Sequence, residues 1–121
     1  MLLAEVRRHK AYRKYGILYG AILPADSIYR HDFADYRGVF LQIPGAENLP
    51  DAYIQPEGAY LRAYSKGSWD KLPGKYCEIL DYARQKGLRL RGYAYETGIN
   101  DIISNSEDDY ITRIEIPVET D

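Results

Sequence analysis

Cysteine occurs once in the chain, at Cys77, so no intrachain disulfide can form and a zinc site built on paired cysteines is excluded. His9 and His31 are the only histidines. They lie in unrelated segments with no second His or carboxylate at metal-ligand spacing, and both read as surface residues; no metal site is expected. No apolar stretch is long enough to span a bilayer, and the opening Met1-Leu2-Leu3-Ala4 runs straight into charge instead of forming a secretory leader. A soluble, reducing, cytoplasmic setting without a membrane partner is the expectation. A surplus of positive charge is missing too: 16 Lys and Arg stand against 18 Asp and Glu, interspersed, for a net charge of −2. Phosphate binding needs basic residues gathered on one face. The densest basic run, Arg7 to Lys14, shares its segment with Glu5 and reads as the solvated face of a helix, so this segment is not expected to contact nucleic acid. Nor is there a nucleophile paired with a base, a second catalytic group or a cofactor motif; no catalytic residue and no cofactor are assigned.

Phenylalanine (two) and tryptophan (one) are scarce, whereas tyrosine occurs thirteen times. Core packing alone favours Leu, Ile and Phe, because every buried phenol needs a hydrogen-bond partner. A tyrosine excess therefore suggests a site with flat apolar faces and polar rims. Thirteen cannot all line one pocket, so some must cover strand surfaces. The rest of the composition is that of a folded domain: 121 residues, 45% hydrophobic and 28% charged, enough for one core and too few for two ordinary domains.

Along the chain, residues 3–15 read as a helix with Leu3, Val6 and the stems of Lys10 and Lys14 on one face, stopped at Gly16. Ile17 to Leu23 reads as a strand ended by Pro24, Ala25 to Tyr36 as an irregular connection, and Gly38 to Ile43 as a second strand. The stretch 44–58, with three prolines and two glycines, reads as a linker between a first half (1–43) and a second half (59–118) of a single domain. Beyond it, Ala59 to Tyr64 is a strand. Asp70 to Lys86 is an amphipathic helix carrying Leu72, Tyr76, Ile79, Leu80 and Ala83 on one face, with Asp70 as N-cap, Pro73 in the first turn and Gly87 as the stop. Arg89 to Thr97 is a strand, 98–109 a polar loop, and Tyr110 to Val118 a closing strand whose even positions face the core.

The segment Pro56-Glu57-Gly58-Ala59-Tyr60-Leu61-Arg62-Ala63-Tyr64-Ser65-Lys66-Gly67-Ser68-Trp69, with Gly92-Tyr93-Ala94-Tyr95-Glu96 and Asp109-Tyr110 through Pro117-Val118, resembles the GyrI-like family. That family includes effector-binding domains of multidrug-sensing MerR-type and AraC-type transcription regulators. Lys14-Tyr15-Gly16 and Val39 to Ile43 give a looser likeness in the first half. The resemblance implies an α+β fold: an antiparallel sheet with helices, built as two pseudo-symmetric βαββ halves around a ligand pocket. The family's first strand is missing ahead of the opening helix, and that loss would leave a sheet edge for a second copy to cover as a homodimer. No helix-turn-helix segment is present, so a regulator's DNA-binding part would lie outside this sequence.

On this reading Glu96 is the pocket acid. It alternates with Ala94 between Tyr93 and Tyr95, and a carboxylate in such surroundings needs compensation. The residues alone leave it equally open that Glu96 is an exposed strand residue; the resemblance favours the pocket. Cations are drawn to aromatic faces, and the aromatic candidates are Trp69, Tyr110, Tyr64, Tyr60, Tyr15, Tyr19 and Tyr36. The expected ligand is a lipophilic, cationic, aromatic small molecule. Two alternatives stay open: a stand-alone GyrI-like hydrolase using Glu96 as general base, and a protein that sequesters a drug or toxin.

Overall fold

The computed structural model describes residues 2–5, 18–42, 49–50, 52–100 and 106–119. Two antiparallel hairpin pairs form the middle of the sheet. One joins β2 (Leu18–Pro24) to β3 (Gly38–Gln42), the other β6 (Tyr93–Gly98) to β7 (Ile111–Glu119). The hairpins meet through antiparallel pairing of β2 with β6, and β4 (Tyr60–Lys66) runs antiparallel along the outside of β7. On the far side β1 (Leu2–Glu5) pairs with β3, giving the order β1-β3-β2-β6-β7-β4; the two-residue β5 (Arg89–Leu90) pairs with the end of β7. Among the described residues two α-helices accompany the sheet, α1 (Ala25–Tyr29) and α2 (Leu72–Lys86). The α+β class expected from the sequence is the one observed.

The expectation of a missing first strand is corrected. Residues 2–5 form β1, with Leu2 opposite Val39 and Glu5 opposite Gln42. The helical expectation from Leu3 onward rests on Leu3 and Val6 sharing a helical face. The open edge of β3 outweighs that thin pattern, since its backbone groups need partners. The remainder of the expected helix, 6–15, lies outside the described residues. Strand order is symmetric about the β2–β6 pair, but direction is not: β1 runs parallel to β3, whereas β4 runs antiparallel to β7.

Smaller departures have local causes. The expected strand Arg89 to Thr97 is broken at Gly92, whose φ of +63° is left-handed, so the chain bends between β5 and β6. The connection after Pro24 contains a short helix, too brief to register as periodicity, that buries Ala25, Ser27 and Ile28. Asp70 does not cap α2; it lies in a 3-10 turn, Trp69–Lys71, whose end is the cap residue Lys71, without a side-chain hydrogen bond. Gly87 ends the helix as expected, with φ +69°.

The sheet's two faces are covered differently. On one, α2 lays Leu72, Tyr76, Ile79 and Ala83 over Leu23, Leu61, Ala94, Ile114 and Ile116, and the even positions of β7 face this core. On the other, Ile22, Phe40 and Tyr95 pack with Tyr53, Tyr60 and Tyr93. Gly20 belongs to this second face. A β-carbon there would overlap the main-chain oxygen of Glu96 and stand 2.5 Å from the Phe40 ring. Gly20→Ala should therefore destabilise the fold by about 1–3 kcal/mol, the usual range for overpacking. Urea denaturation checks this, and an unchanged midpoint would mean that β2 and β6 separate freely.

Candidate functional site

Register places Glu96 in a row of side chains crossing the sheet on the α2 face: Val39, Ala21, Glu96, Ile114 and Ala63, on β3, β2, β6, β7 and β4. Glu96 is the only polar member. Ile114 and Ala63 lie in the core beneath α2, while Val39, Ala21 and Glu96 line a cavity of about 460 Å³. The acid thus stands where the helical cover ends and the opening begins. Tyr19, Gly98 and Thr112 continue the floor in the next row. Gly98 has no side chain and Ala21 only a methyl, which leaves depth above the strands.

The walls come from outside the sheet. Phe33 and Tyr36 belong to the connection from α1 to β3; Trp69 and Asp70 belong to the 3-10 turn before α2, and Leu72 and Pro73 to its start. Trp69 is 57% exposed and Tyr36 41%, so aromatic faces meet solvent at the rim. Among the described residues the lining holds two acids, Glu96 and Asp70, and no Lys, Arg or His.

Glu96 is only 7% exposed. Tyr36 Oη donates to it at 2.9 and 3.0 Å, and Tyr76 Oη, from the buried face of α2, donates at 2.5 Å. Burial pushes the carboxyl above the usual carboxylate range, and the two phenol donors pull it back. The phenols respond in the opposite sense. Burial, with the adjacent Glu96 charge, holds Tyr36 and Tyr76 well above the ordinary tyrosine range. Both therefore stay protonated as donors, and the carboxylate accepts from both. Phe33 stacks on Tyr76, centroids 5.6 Å apart and planes 7° from parallel, continuing the aromatic wall.

Of the residues named from the sequence, the structure brings Glu96, Trp69, Tyr19 and Tyr36 together around this cavity. Tyr64 and Tyr60 lie on the other face of β4, opposite Arg113 and Pro117. Tyr64 is half-exposed, and Tyr60 donates to the Pro56 carbonyl and lines a separate depression with Lys75 and Tyr82. Tyr110 precedes β7 and stands outside the cavity lining; Thr112, two residues on, takes the inward place. Tyr15 lies outside the described residues. Sequence reasoning passed over Tyr76, Phe33, Val39 and Asp70. Tyr76 carried a usable signal, because a phenol in the apolar stripe of an amphipathic helix requires a buried partner. Phe33 and Val39 carried none. Among the described residues no three of His, Cys, Asp and Glu gather as a metal site, and no helix is long and apolar enough to cross a membrane.

Raising the Glu96 carboxyl above its unfolded value has a definite sign. The folded chain binds the extra proton, so this group's penalty is absent in acid and grows as pH rises through the folded value. Glu96→Gln should remove that dependence: its stability relative to the parent should increase from acid to neutral pH in paired urea titrations, and a constant difference would contradict the buried carboxyl. Comparison with known proteins adds an independent observation. No family model matches the chain, and no solved structure does. The chain is 27% identical over 96 residues to the multidrug-efflux transporter 2 regulator of Bacillus subtilis (strain 168); the match covers 78% of this chain and 33% of that protein. The chain thus spans about a third of the length of the curated relative it matches.

Proposed function

We propose that this chain is the effector-binding part of a transcription regulator, of the GyrI-like type, and that it binds lipophilic organic cations. The observation that carries the reading is Glu96: a largely buried carboxylate that borders an open, aromatic-walled cavity with no basic residue in its described lining. A monovalent cation entering beside it replaces hydration the carboxylate has lost. Ring faces at Tyr19, Phe33, Tyr36 and Trp69 add stacking and cation–π attraction, about 0.5–2 kcal/mol for a good contact. The cavity volume falls within the range of small-molecule sites. Flat apolar walls do not demand one ligand shape, whereas the buried charge excludes anions, so selectivity is broad in shape and narrow in charge. The similarity to a regulator of multidrug efflux supports the same reading. Ligand binding would then bias this part against a DNA-binding part by differential affinity for two arrangements.

A second reading uses Glu96 as a general base on water in a hydrolase, and the upward push on its carboxyl is the observation that favours it. The two differ in what Glu96→Gln removes. On the binding reading, fluorescence titration with rhodamine 6G should show about 10- to 100-fold weaker binding to Glu96→Gln with the fold intact, the range expected for losing a charge-assisted contact. Unchanged dye affinity would overturn it. Turnover of a candidate substrate that disappears in Glu96→Gln while binding persists would select the hydrolase.

A further inference from the structure

The segment from Arg30 to Arg37, which supplies Phe33 and Tyr36 to the cavity wall, is not part of any sheet or helix and needs its own anchor. That anchor is an acid the ligand site does not touch. Asp35 accepts from the buried Ser27 Oγ at 2.7 Å and from Arg37 at 2.9 Å (Nη2) and 3.3 Å (Nε). Arg30 Nη2 stands 3.7 Å from the same carboxylate and donates to Ser27 Oγ at 3.2 Å. Main-chain bonds from Asp32 N to Ser27 O and from Arg37 N to Ile22 O fasten the two ends of the segment. Immediately before the first of these ties the chain turns at His31, a non-glycine residue at φ +59°. The segment is therefore tied to α1 at one side and to β2 at the other, with Asp35 joining the ties.

We propose that Asp35 is the positioning residue of the ligand site: by clasping Ser27, Arg30 and Arg37 it holds Tyr36 on the Glu96 carboxylate and Phe33 against Tyr76. The inference rests on the Glu96 reading for its ligand but not for its geometry. Asp35 and Tyr36 are adjacent in sequence, so the carboxylate that faces the arginines fixes the backbone from which the Tyr36 phenol reaches Glu96. The arginine and serine contacts also hold the Asp35 carboxyl below the usual range, so the clasp keeps its charge across neutral pH. The charged and titratable groups around it are Arg30, Arg37 and, beyond Arg37, Asp32 and Tyr93; around Glu96 they are Tyr36, Tyr76 and, elsewhere in the lining, Asp70.

Asp35→Ala, Tyr36→Phe and the double variant, each in the full chain, test the proposal with two readouts. One is rhodamine 6G affinity; the other is the titration of Glu96 followed by NMR of ¹³C-labelled glutamate. Asp35→Ala should weaken dye binding about threefold to tenfold, the size of a short-range coupling. It should also move the Glu96 titration to higher pH, in the same direction as Tyr36→Phe, because a hydrogen-bond donor to the carboxylate is lost. Adding Asp35→Ala to Tyr36→Phe should move the titration no further. Asp35→Asn, which keeps an acceptor for Ser27 but drops the charge, should fall between the parent and Asp35→Ala, and it serves if the alanine variant does not fold. A Glu96 titration unmoved by Asp35→Ala or Asp35→Asn, or two additive shifts, would overturn the proposal. Should the dye fail to bind the parent chain, the ligand reading fails while the NMR titration still decides the role of Asp35.

Discussion

A carboxylate can leave water only if something else takes over its hydration. In this protein that constraint acts at Glu96, and much of the surrounding architecture follows from it. Two phenols, from elements separated by 60 and 20 residues from Glu96, converge on its oxygens. They leave the acid hydrogen-bonded on the protein's side and still bordering an open cavity. Removing either donor would push the carboxyl further towards the neutral form, and with it would go the negative charge that borders the cavity.

The sheet makes this arrangement rigid. Glu96 lies on β6, inside the sheet, hydrogen-bonded on both sides by β2 and β7, so its height and direction are set by two ladders at once. What varies around it is the cover. Over Ile114 and Ala63 the cover is α2; over Ala21 and Val39 it is open space walled by Phe33, Tyr36 and Trp69. A single cross-strand row therefore runs from dry core to accessible site, and the acid occupies the boundary.

The tyrosine excess is only partly a matter of the cavity. Tyr53 and Tyr95 bond to one another on the opposite face, Tyr29 accepts from the Leu90 amide, and Tyr60 donates to the Pro56 carbonyl. These phenols combine apolar packing with a polar end that is satisfied locally, as tyrosine allows where a core meets irregular chain. The abundance of the residue was legible in the sequence; its division between cavity and opposite face was not. Tyr60 and Tyr64 share a face of β4, as period-two alternation requires, but alternation does not say which face looks towards α2.

The sequence by itself determined those features whose causes are local. The amphipathic stripe of α2, the left-handed stop at Gly87, the β-rich runs and the inward parity of β7 all depend on neighbours within a few residues. The residues around Glu96 show an acid in an apolar stretch but leave its exposure open; the family resemblance, not local pattern, favours the pocket. The tertiary structure alone decided the partners of that acid. Tyr76 reads as core because a helix face shows what is buried, not what it meets, and Tyr36 lies in a segment whose shape depends on Asp35 and two arginines. It also decided the first strand, since Leu2–Glu5 is extended by the backbone need of β3, a partner more than thirty residues away. Periodicity reports the environment of a residue; only packing and register choose which distant residue provides it.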